Sequence, residues 1–254
     1  AAQLAAQGYR ELVLTGIEIS SWGREWKDGS SLIDLIEAVC QAAPDCRIRL
    51  GSLEPRTITH EFCRRAAGLN NLCPHFHLSM QSGCDTVLQR MNRKYDTARY
   101  YESVRLLNQY FDRPAVTTDL IVGFPGETTQ EFEDTLKVLE EVRFDALFTF
   151  LYSPRVGTPA ASMDDPMSRE EKLANFNRLT ALQDAISEEK HAAYIGKTVR
   201  CLVDGLSDDS RYDLTARTPG NRLVRVVGDK SALGQFQDVK ITGANKWSLF
   251  GELA

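Results

Sequence analysis

The chain has 254 residues, of which 43% are hydrophobic and 26% charged, and its formal net charge at pH 7 is −5. These values are typical of a soluble globular protein with one large or two modest domains. No apolar run is long enough to cross a membrane and no signal peptide is visible, so we expect a cytoplasmic protein with no membrane partner. The six cysteines lack metal-ligand spacing, which predicts reduced thiols and no metal held by this chain.

Buried strands and helices alternate along the first two thirds of the chain. Short apolar runs predict strands at residues 11–17, 47–51, 76–80, 120–122 and 147–151. The run Leu120 to Val122 has no polar alternation, which predicts a strand buried on both faces. Thr128 and Glu131 then form a capping box that begins a helix. Five such units predict right-handed βαβ connections and a parallel sheet or barrel.

Each predicted strand has polar residues or glycine at its carboxyl end. These pairs are Thr15/Gly16, Ser52/Glu54, Gln81/Ser82, Gly123/Glu127 and Tyr152/Arg155. Ligands of parallel α/β folds bind where the carboxyl ends of the strands meet. Five polar endings together therefore predict one shared site.

The sequence pattern changes after residue 165. Ser168 and Glu171 form a second capping box that begins a long helix. Short β-branched segments punctuated by glycine then predict a small five-stranded β-barrel. From Ala193 onward the chain carries 9 basic and 7 acidic residues. This composition is as typical of an RNA-binding surface as of an ordinary solvated one. The predicted domains are residues 1–165, a connecting helix over 166–193 and the barrel over 194–254.

The residues alone do not predict a reaction. There is no P-loop and no Gly-x-Gly-x-x-Gly after a strand. We interpret His75 and His77, which alternate on one strand, as structural. Asp119 has no second carboxylate at a fixed spacing.

Three long motifs, in the same order, resemble the radical S-adenosylmethionine (SAM) methylthiotransferases. They run from His77 to Tyr95, from Asp119 to Thr128 and from Phe150 to Ala161. The segment after Gly196 resembles the RNA-binding TRAM domain of the same enzymes. The resemblance implies a partial (β/α) barrel of the radical SAM type followed by a TRAM-like, OB-like β-barrel.

The resemblance also implies an activity, a cofactor and a partner. Members of this family insert a methylthio group at carbon 2 of a hypermodified adenosine, at position 37 in the anticodon loop of tRNA. They use S-adenosylmethionine and two [4Fe-4S] clusters, whose cysteine ligands follow a spacing that this chain lacks. We therefore expect the cluster ligands to lie outside these residues and the chain to be a fragment that is inactive by itself. We also expect a monomer.

The matching motifs and strand ends imply the site residues. The expected cofactor-binding residues are Gly16, Ser52, Glu54, Gln81, Ser82, Arg93, Val122 and Gly123. The expected substrate-side residues are Tyr152, Arg155 and Thr158. The expected RNA contacts of the β-barrel are Arg200, Arg217, Arg222, Arg225 and Lys246.

Several alternatives stay open at this point. The stretches Gly51 to Pro55 and Phe76 to Cys84 resemble the branch that acts on threonylcarbamoyladenosine. The stretches Phe144 to Ala161 and Arg217 to Val224 resemble the isopentenyladenosine branch. A branch that modifies a ribosomal protein, and a non-catalytic RNA-binding protein with a degenerate barrel, are the other hypotheses.

Overall fold

The first part of the protein is an open (β/α) barrel. The computed structural model describes all 254 residues. The strands of this part are β1 (Glu11–Leu14), β2 (Arg47–Leu50), β3 (Ser52–Leu53), β4 (His75–Leu78), β5 (Ala115–Val122) and β6 (Ala146–Leu151). β1 pairs with β2, and β3, β4, β5 and β6 pair in that order, all in parallel. This topology confirms the predicted partial (β/α) barrel.

The predicted second strand is divided at Gly51. β2 pairs with β1, whereas β3, which follows directly, pairs with β4. The Gly51 N–H donates to the carbonyl of Leu14 at 2.7 Å. A side chain at Gly51 would lie 2.8 Å from Thr15 Oγ1. The absence of a Cβ therefore lets the chain pass close to β1 as it changes its pairing partner.

Seven helices connect and cover the strands. They are α1 (Ala2–Ala6), α2 (Leu32–Ala42), α3 (His60–Ala66), α4 (Asp85–Arg90), α5 (Thr97–Tyr110), α6 (Thr129–Val142) and α7 (Arg169–Ala192). Both predicted capping boxes are present, with Thr128 and Glu131 at the start of α6 and Ser168 and Glu171 at the start of α7. No helix is both long and apolar enough to cross a bilayer.

The strands are not buried equally on both faces, which corrects the prediction for Leu120 to Val122. In β5, Leu120 and Val122 belong to the main hydrophobic core, while Asp119 and Ile121 on the other face are only half-buried. In β4, Phe76 and Leu78 belong to the core and alternate with His75 and His77. The reason is that the helices cover one face only, and the other borders a hollow.

The second part is a closed five-stranded barrel. Its strands are β7 (Thr198–Leu206), β8 (Leu214–Arg217), β9 (Leu223–Val227), β10 (Phe236–Ala244) and β11 (Leu249–Leu253). The order around it is β10-β11-β9-β8-β7, and β7 closes it by pairing with β10. The β-branched segments of the sequence, at residues 198–203, 222–227 and 239–242, correspond to β7, β9 and β10, whereas β8 and β11, only 4 and 5 residues long, were missed.

The β-barrel is docked against the amino-terminal ends of the parallel strands. Arg49 of β2 donates to the carbonyls of Pro219 (2.8 Å) and Thr218 (3.5 Å) in the turn between β8 and β9. A Cβ at Gly220 in the same turn would lie 3.1 Å from that of Ala115, the first residue of β5. The turn therefore closes one end of the hollow.

Candidate functional site

The largest cavity is the hollow inside the open (β/α) barrel, with a volume of about 1020 Å³. Inward-facing side chains of the strands line it, among them Arg49, His75, His77, Thr117, Asp119 and Phe148. The turn at Gly220, the C-terminal half of α7 and Trp247 complete its wall. A cavity of this size can enclose a nucleoside.

A hydrogen-bonded chain crosses the floor of this hollow from β4 to β5. His77 Nε2 lies 3.1 Å from Asp119 Oδ2, and His77 Nδ1 lies 3.0 Å from Thr117 Oγ1. Thr117 Oγ1 also lies 3.4 Å from His75 Nε2. The parallel pairing of β4 and β5, with His77 beside Thr117, brings these groups together.

His75 is the buried end of this chain. Burial, together with the charge of Arg49, lowers the pKa of His75 to about 3. Its imidazole is therefore neutral at physiological pH. Its Nδ1 has no hydrogen-bond partner in the protein.

Charged groups at the amino-terminal end of the hollow are paired with one another. Glu11 accepts hydrogen bonds from Arg47 and from Arg49, the latter at 3.0 and 3.1 Å. Burial opposes ionisation of Glu11, but the hydrogen bonds and charges of the two arginines outweigh it and lower its pKa. The carboxylate of Asp119 is not part of this ion-pair network.

Two aromatic side chains face the hollow from β6. Phe148 is 54% exposed and Phe150 is 53% exposed. The ring of Phe148 lies 5.7 Å from that of His77. Apolar rings left open inside a cavity are available to stack on a flat ligand.

Three predicted cofactor-binding residues meet at a second cavity near the strand ends. Ser52, Glu54 and Arg93 line this cavity, whose volume is about 390 Å³. Glu54 is ion-paired with Arg56, and its backbone N–H donates to Ser20 Oγ at 2.9 Å. Ser52 also lines the main hollow, so the two cavities are neighbours.

Three other predicted cofactor residues contribute their backbone or lie on the surface. Gly16 is exposed. Gln81 has a left-handed φ of 73°, and its backbone bonds to Asp119 and Ile121 of β5 at 2.9 and 3.0 Å. Gly123 also has a left-handed φ, of 74°, where it ends β5.

Ser82 and Val122 point away from the hollow. Ser82 is buried, accepts a hydrogen bond from the Cys84 N–H at 3.2 Å and lies 3.4 Å from Thr135 Oγ1 of α6. Val122 belongs to the hydrophobic core under the helices. Neither side chain is in a position to reach a ligand in the hollow, which argues against the direct contacts inferred from the sequence.

The turn after β5 holds a buried carboxyl group. Glu127 accepts a hydrogen bond from the Gly123 N–H at 2.7 Å. The pKa of Glu127 is raised to about 7, because the effect of burial outweighs the lowering effects of this hydrogen bond and of the nearby Arg90 and Lys172. Glu127 therefore holds the turn in shape and changes its charge near neutral pH.

The predicted substrate residues lie beyond β6 and do not form one group. Tyr152 is packed against Phe124, with ring centroids 5.3 Å apart, and its hydroxyl is buried without a partner. Arg155 and Thr158 are exposed, and the Thr158 hydroxyl donates to the Arg155 carbonyl at 2.7 Å.

Four of the five predicted RNA contacts are on the surface of the β-barrel or at its edge. Each is ion-paired: Arg200 with Asp238, Arg217 with Asp204, Arg225 with Asp208 and Lys246 with Asp184. Trp247, which is 68% exposed, lies next to Lys246, whose ammonium is 4.8 Å from its ring centroid.

Arg222 is a correction to the sequence analysis. Its side chain is 7% exposed and ion-paired with Asp145, the residue before β6. Its guanidinium also lies 5.0 Å from the ring centroid of Tyr194. A buried, paired arginine cannot reach a phosphate, so Arg222 joins the two parts of the protein and does not contact RNA in this conformation.

The cysteines do not form a cluster site. All six are buried and free: Cys40, Cys46, Cys63, Cys73, Cys84 and Cys201. Burial raises the pKa of Cys73 to about 11, and no three potential metal ligands come together anywhere in the chain. Iron-sulfur clusters need thiolates grouped around them. These cysteines do not fit that requirement.

Comparison with known families gives this architecture its name. Residues 1–139 match the radical SAM superfamily, and residues 192–254 match the TRAM domain. The chain belongs to the radical SAM superfamily. S-adenosylmethionine and a [4Fe-4S] cluster are the cofactors that this membership implies.

Several curated relatives of this radical SAM chain are named tRNA-2-methylthio-N(6)-dimethylallyladenosine synthase. The relative from Clostridium botulinum is 38% identical over 250 residues, covering 98% of this chain and 56% of its own length. The relative from Acetivibrio thermocellus is 39% identical, covering 98% of this chain and 52% of its own length. The chain thus spans about half the length of the curated relatives it matches.

Solved structures show the fold of this radical SAM chain at low identity. Coproporphyrinogen III oxidase from Escherichia coli superposes with a TM-score of 0.51 at 19% identity, covering 63% of this chain and 38% of its own. The radical SAM methyltransferase TsrM from Kitasatospora setae gives a TM-score of 0.50 at 18% identity, covering 63% of this chain and 31% of its own.

The donor groups of the second cavity fit S-adenosylmethionine. Glu54 could pair with its amino group, Arg93 with its carboxylate and Ser52 with a hydroxyl. The three residues line one cavity, so a single S-adenosylmethionine molecule could contact all of them. The cluster, in contrast, has no fitting ligands among the described cysteines.

Sequence analysis missed the inward-facing residues of the radical SAM barrel. His75 and His77 were interpreted as structural, and Thr117 and Phe148 were not considered. A signal was present in β4, where His75 and His77 alternate with Phe76 and Leu78, whereas in β5 the consecutive polar residues Thr117, Thr118 and Asp119 hide the alternation. That period of two marks the face that borders the hollow.

Proposed function

We propose that the protein is the radical SAM and TRAM part of a tRNA methylthiotransferase. Its substrate would be the N6-isopentenyl (dimethylallyl) adenosine at position 37, in the anticodon loop, and the modification would be a methylthio group at carbon 2. The observation that carries this proposal is the 38% identity, over 98% of the chain, to a relative named tRNA-2-methylthio-N(6)-dimethylallyladenosine synthase. It favours the isopentenyladenosine branch over the threonylcarbamoyladenosine branch.

In this proposal each cavity has its own task. Ser52, Glu54 and Arg93 would hold S-adenosylmethionine, which supplies the radical chemistry of the superfamily when bound. The main hollow would receive the target base and exclude water from it, because a base must leave its stack before an enzyme can modify it. Enclosure also limits side reactions of reactive species.

The cluster ligands would lie outside the 254 residues. The six cysteines are buried and do not come together. We therefore infer that these residues by themselves do not catalyse the reaction.

In this proposal the β-barrel binds the tRNA, and the protein acts in the cytoplasm. Arg200, Arg217 and Lys246 keep part of their side chains exposed, and the exposed ring of Trp247 could stack on a base. Trp247 and Lys246 also line the main hollow, so RNA bound to them would lie beside the cavity proposed to receive the base.

The decisive experiment is mass spectrometry of tRNA nucleosides from a strain in which the gene is deleted. We expect the 2-methylthio form of isopentenyladenosine to disappear while isopentenyladenosine itself accumulates. Reintroducing the gene is the control, and it should restore the modification.

Other outcomes would identify other functions. Loss of the 2-methylthio form of threonylcarbamoyladenosine alone would assign the second tRNA branch. Unchanged tRNA would contradict the proposal, and an unmodified ribosomal protein in the same strain would then support the third branch.

A further inference from the structure

We propose that Asp119 selects the base that enters the main hollow, by accepting a hydrogen bond from the exocyclic N–H of an aminopurine. His77 acts as the positioning residue for Asp119, and Phe148 is the stacking surface. This inference rests on the proposed function and names the specificity-determining residue of its substrate site.

One oxygen of Asp119 is free to bind a ligand. Asp119 Oδ2 is held by His77 Nε2 at 3.1 Å, and no other hydrogen bond reaches the carboxylate. The side chain is 27% exposed, and it lines the main hollow. Oδ1 is therefore an unused acceptor inside an enclosed space, where a matching donor is favoured and an opposed acceptor is rejected.

The hydrogen-bonded chain behind Asp119 fixes this acceptor character. In the tautomer of His77 that carries its proton on Nε2, this N–H donates to Asp119 and Nδ1 accepts from the Thr117 hydroxyl. Thr117 has only one proton, so its oxygen accepts from His75 Nε2–H. Every donor in the chain thus points toward Asp119, and a ligand must supply an N–H or O–H group.

The surroundings favour a flat aromatic ligand. The half-exposed ring of Phe148 lies 5.7 Å from His77, on the strand next to Asp119. Stacking of a base on such a ring contributes about 1–3 kcal/mol. The register places Phe148 directly beside Asp119, so a purine on the ring would direct its edge toward the carboxylate.

The hydrogen-bonded chain behind Asp119 predicts that the substitution Asp119→Asn reverses the base preference. His77 N–H still needs an acceptor, so it would hold the amide oxygen of the new side chain. The amide NH₂ would then face the ligand as a donor. Adenosine offers an N–H at this edge and inosine offers a carbonyl oxygen, so the replacement should favour inosine.

The experiment measures nucleoside binding to the 254-residue chain by calorimetry or by ligand-detected NMR. The unsubstituted chain should bind adenosine about tenfold more tightly than inosine, and also more tightly than N6,N6-dimethyladenosine, which has no exocyclic N–H. The Asp119→Asn chain should prefer inosine. Equal ratios of adenosine to inosine affinity in the two chains would overturn the proposal.

Two further variants separate selection from structural damage. His77→Phe in the Asp119→Asn background removes the group that orients the amide, and the preference for inosine should disappear. Asp112→Asn changes an exposed aspartate that pairs with Arg113 on the surface and does not line the hollow, and it should leave every affinity unchanged. Retention of the inosine preference without His77 would exclude its positioning role.

The outcome does not depend on turnover. Should Asp119→Asn fail to fold, equal affinity of the unsubstituted chain for adenosine and N6,N6-dimethyladenosine would by itself refute the role of Asp119. Failure of this binding test leaves the tRNA modification result untouched. Unchanged tRNA in the deletion strain, in turn, would refute the proposed function even where adenosine binds as expected.

Discussion

The buried Glu127 is expected to make stability depend on pH. Its pKa rises from an ordinary value of 4.5 to about 7 in the folded protein because of burial. The folded state therefore holds this proton more tightly than the unfolded state. Protonated Glu127 stabilises the folded state fully below about pH 4.5, and this stabilisation is lost as the pH rises to about 7. The loss lowers the free energy of unfolding by roughly 3 kcal/mol at most.

Glu127→Gln isolates this effect, because glutamine keeps an oxygen for the Gly123 N–H and cannot ionise. Urea unfolding at several pH values should show that the difference between the two chains grows from pH 4.5 to 7. The comparison is needed because His75, whose pKa is lowered to about 3, has the opposite slope below its unfolded pKa. A constant difference would show that Glu127 does not titrate there.

At the scale of the element, the turn between β5 and α6 depends on Gly123. Its φ is 74°, and a Cβ would lie 2.5 Å from the side-chain carbons of Lys172 in α7. Gly123→Ala should destabilise the protein by about 1–2 kcal/mol for the backbone conformation alone, plus the cost of displacing the Lys172 stem. Chemical denaturation measures this change.

Gly126 in the same turn provides a matched control. Its φ is 75°, and the nearest atom to its added Cβ would be Arg90 Nε at 3.7 Å. Gly126→Ala should therefore show the backbone cost without the clash. If both variants lose the same stability, Lys172 does not pack rigidly over Gly123.

At the scale of the whole molecule, Asp145 joins the two parts. It accepts hydrogen bonds from Arg222 of the β-barrel, from Lys190 of α7 at 2.9 Å and from the Val116 N–H at 2.9 Å. Asp145→Asn would leave the buried Arg222 without its counter-charge. We expect a loss of about 3 kcal/mol and separate unfolding of the β-barrel, measured as a second transition by differential scanning calorimetry.

Asp204→Asn is the control for this prediction. Asp204 pairs with Arg217 at 3.3 Å on the surface, and both side chains are partly exposed. Surface pairs contribute about 0–1 kcal/mol, so unfolding should remain a single transition. Similar losses from both replacements would show that the Asp145 contact does not couple the two parts.

The sequence by itself determined the local structure and its order. Thr128 and Ser168 mark their helix starts because a side-chain oxygen and a glutamate three residues on satisfy the first free N–H groups. Apolar runs marked the five strand positions, since every parallel strand needs one face in the core. The three motifs that begin at His77, Asp119 and Phe150 together indicated the family that residues 1–139 match.

Only the tertiary structure decided which residues share a space. His77, Thr117 and Asp119 are 42 residues apart at most and meet because β4 and β5 pair in one register. Arg222 lies in a basic segment of the sequence, yet docking of the β-barrel buries it against Asp145. Local patterns record how each segment satisfies its own backbone and core face, whereas contacts between distant segments depend on the register and docking that the whole chain adopts.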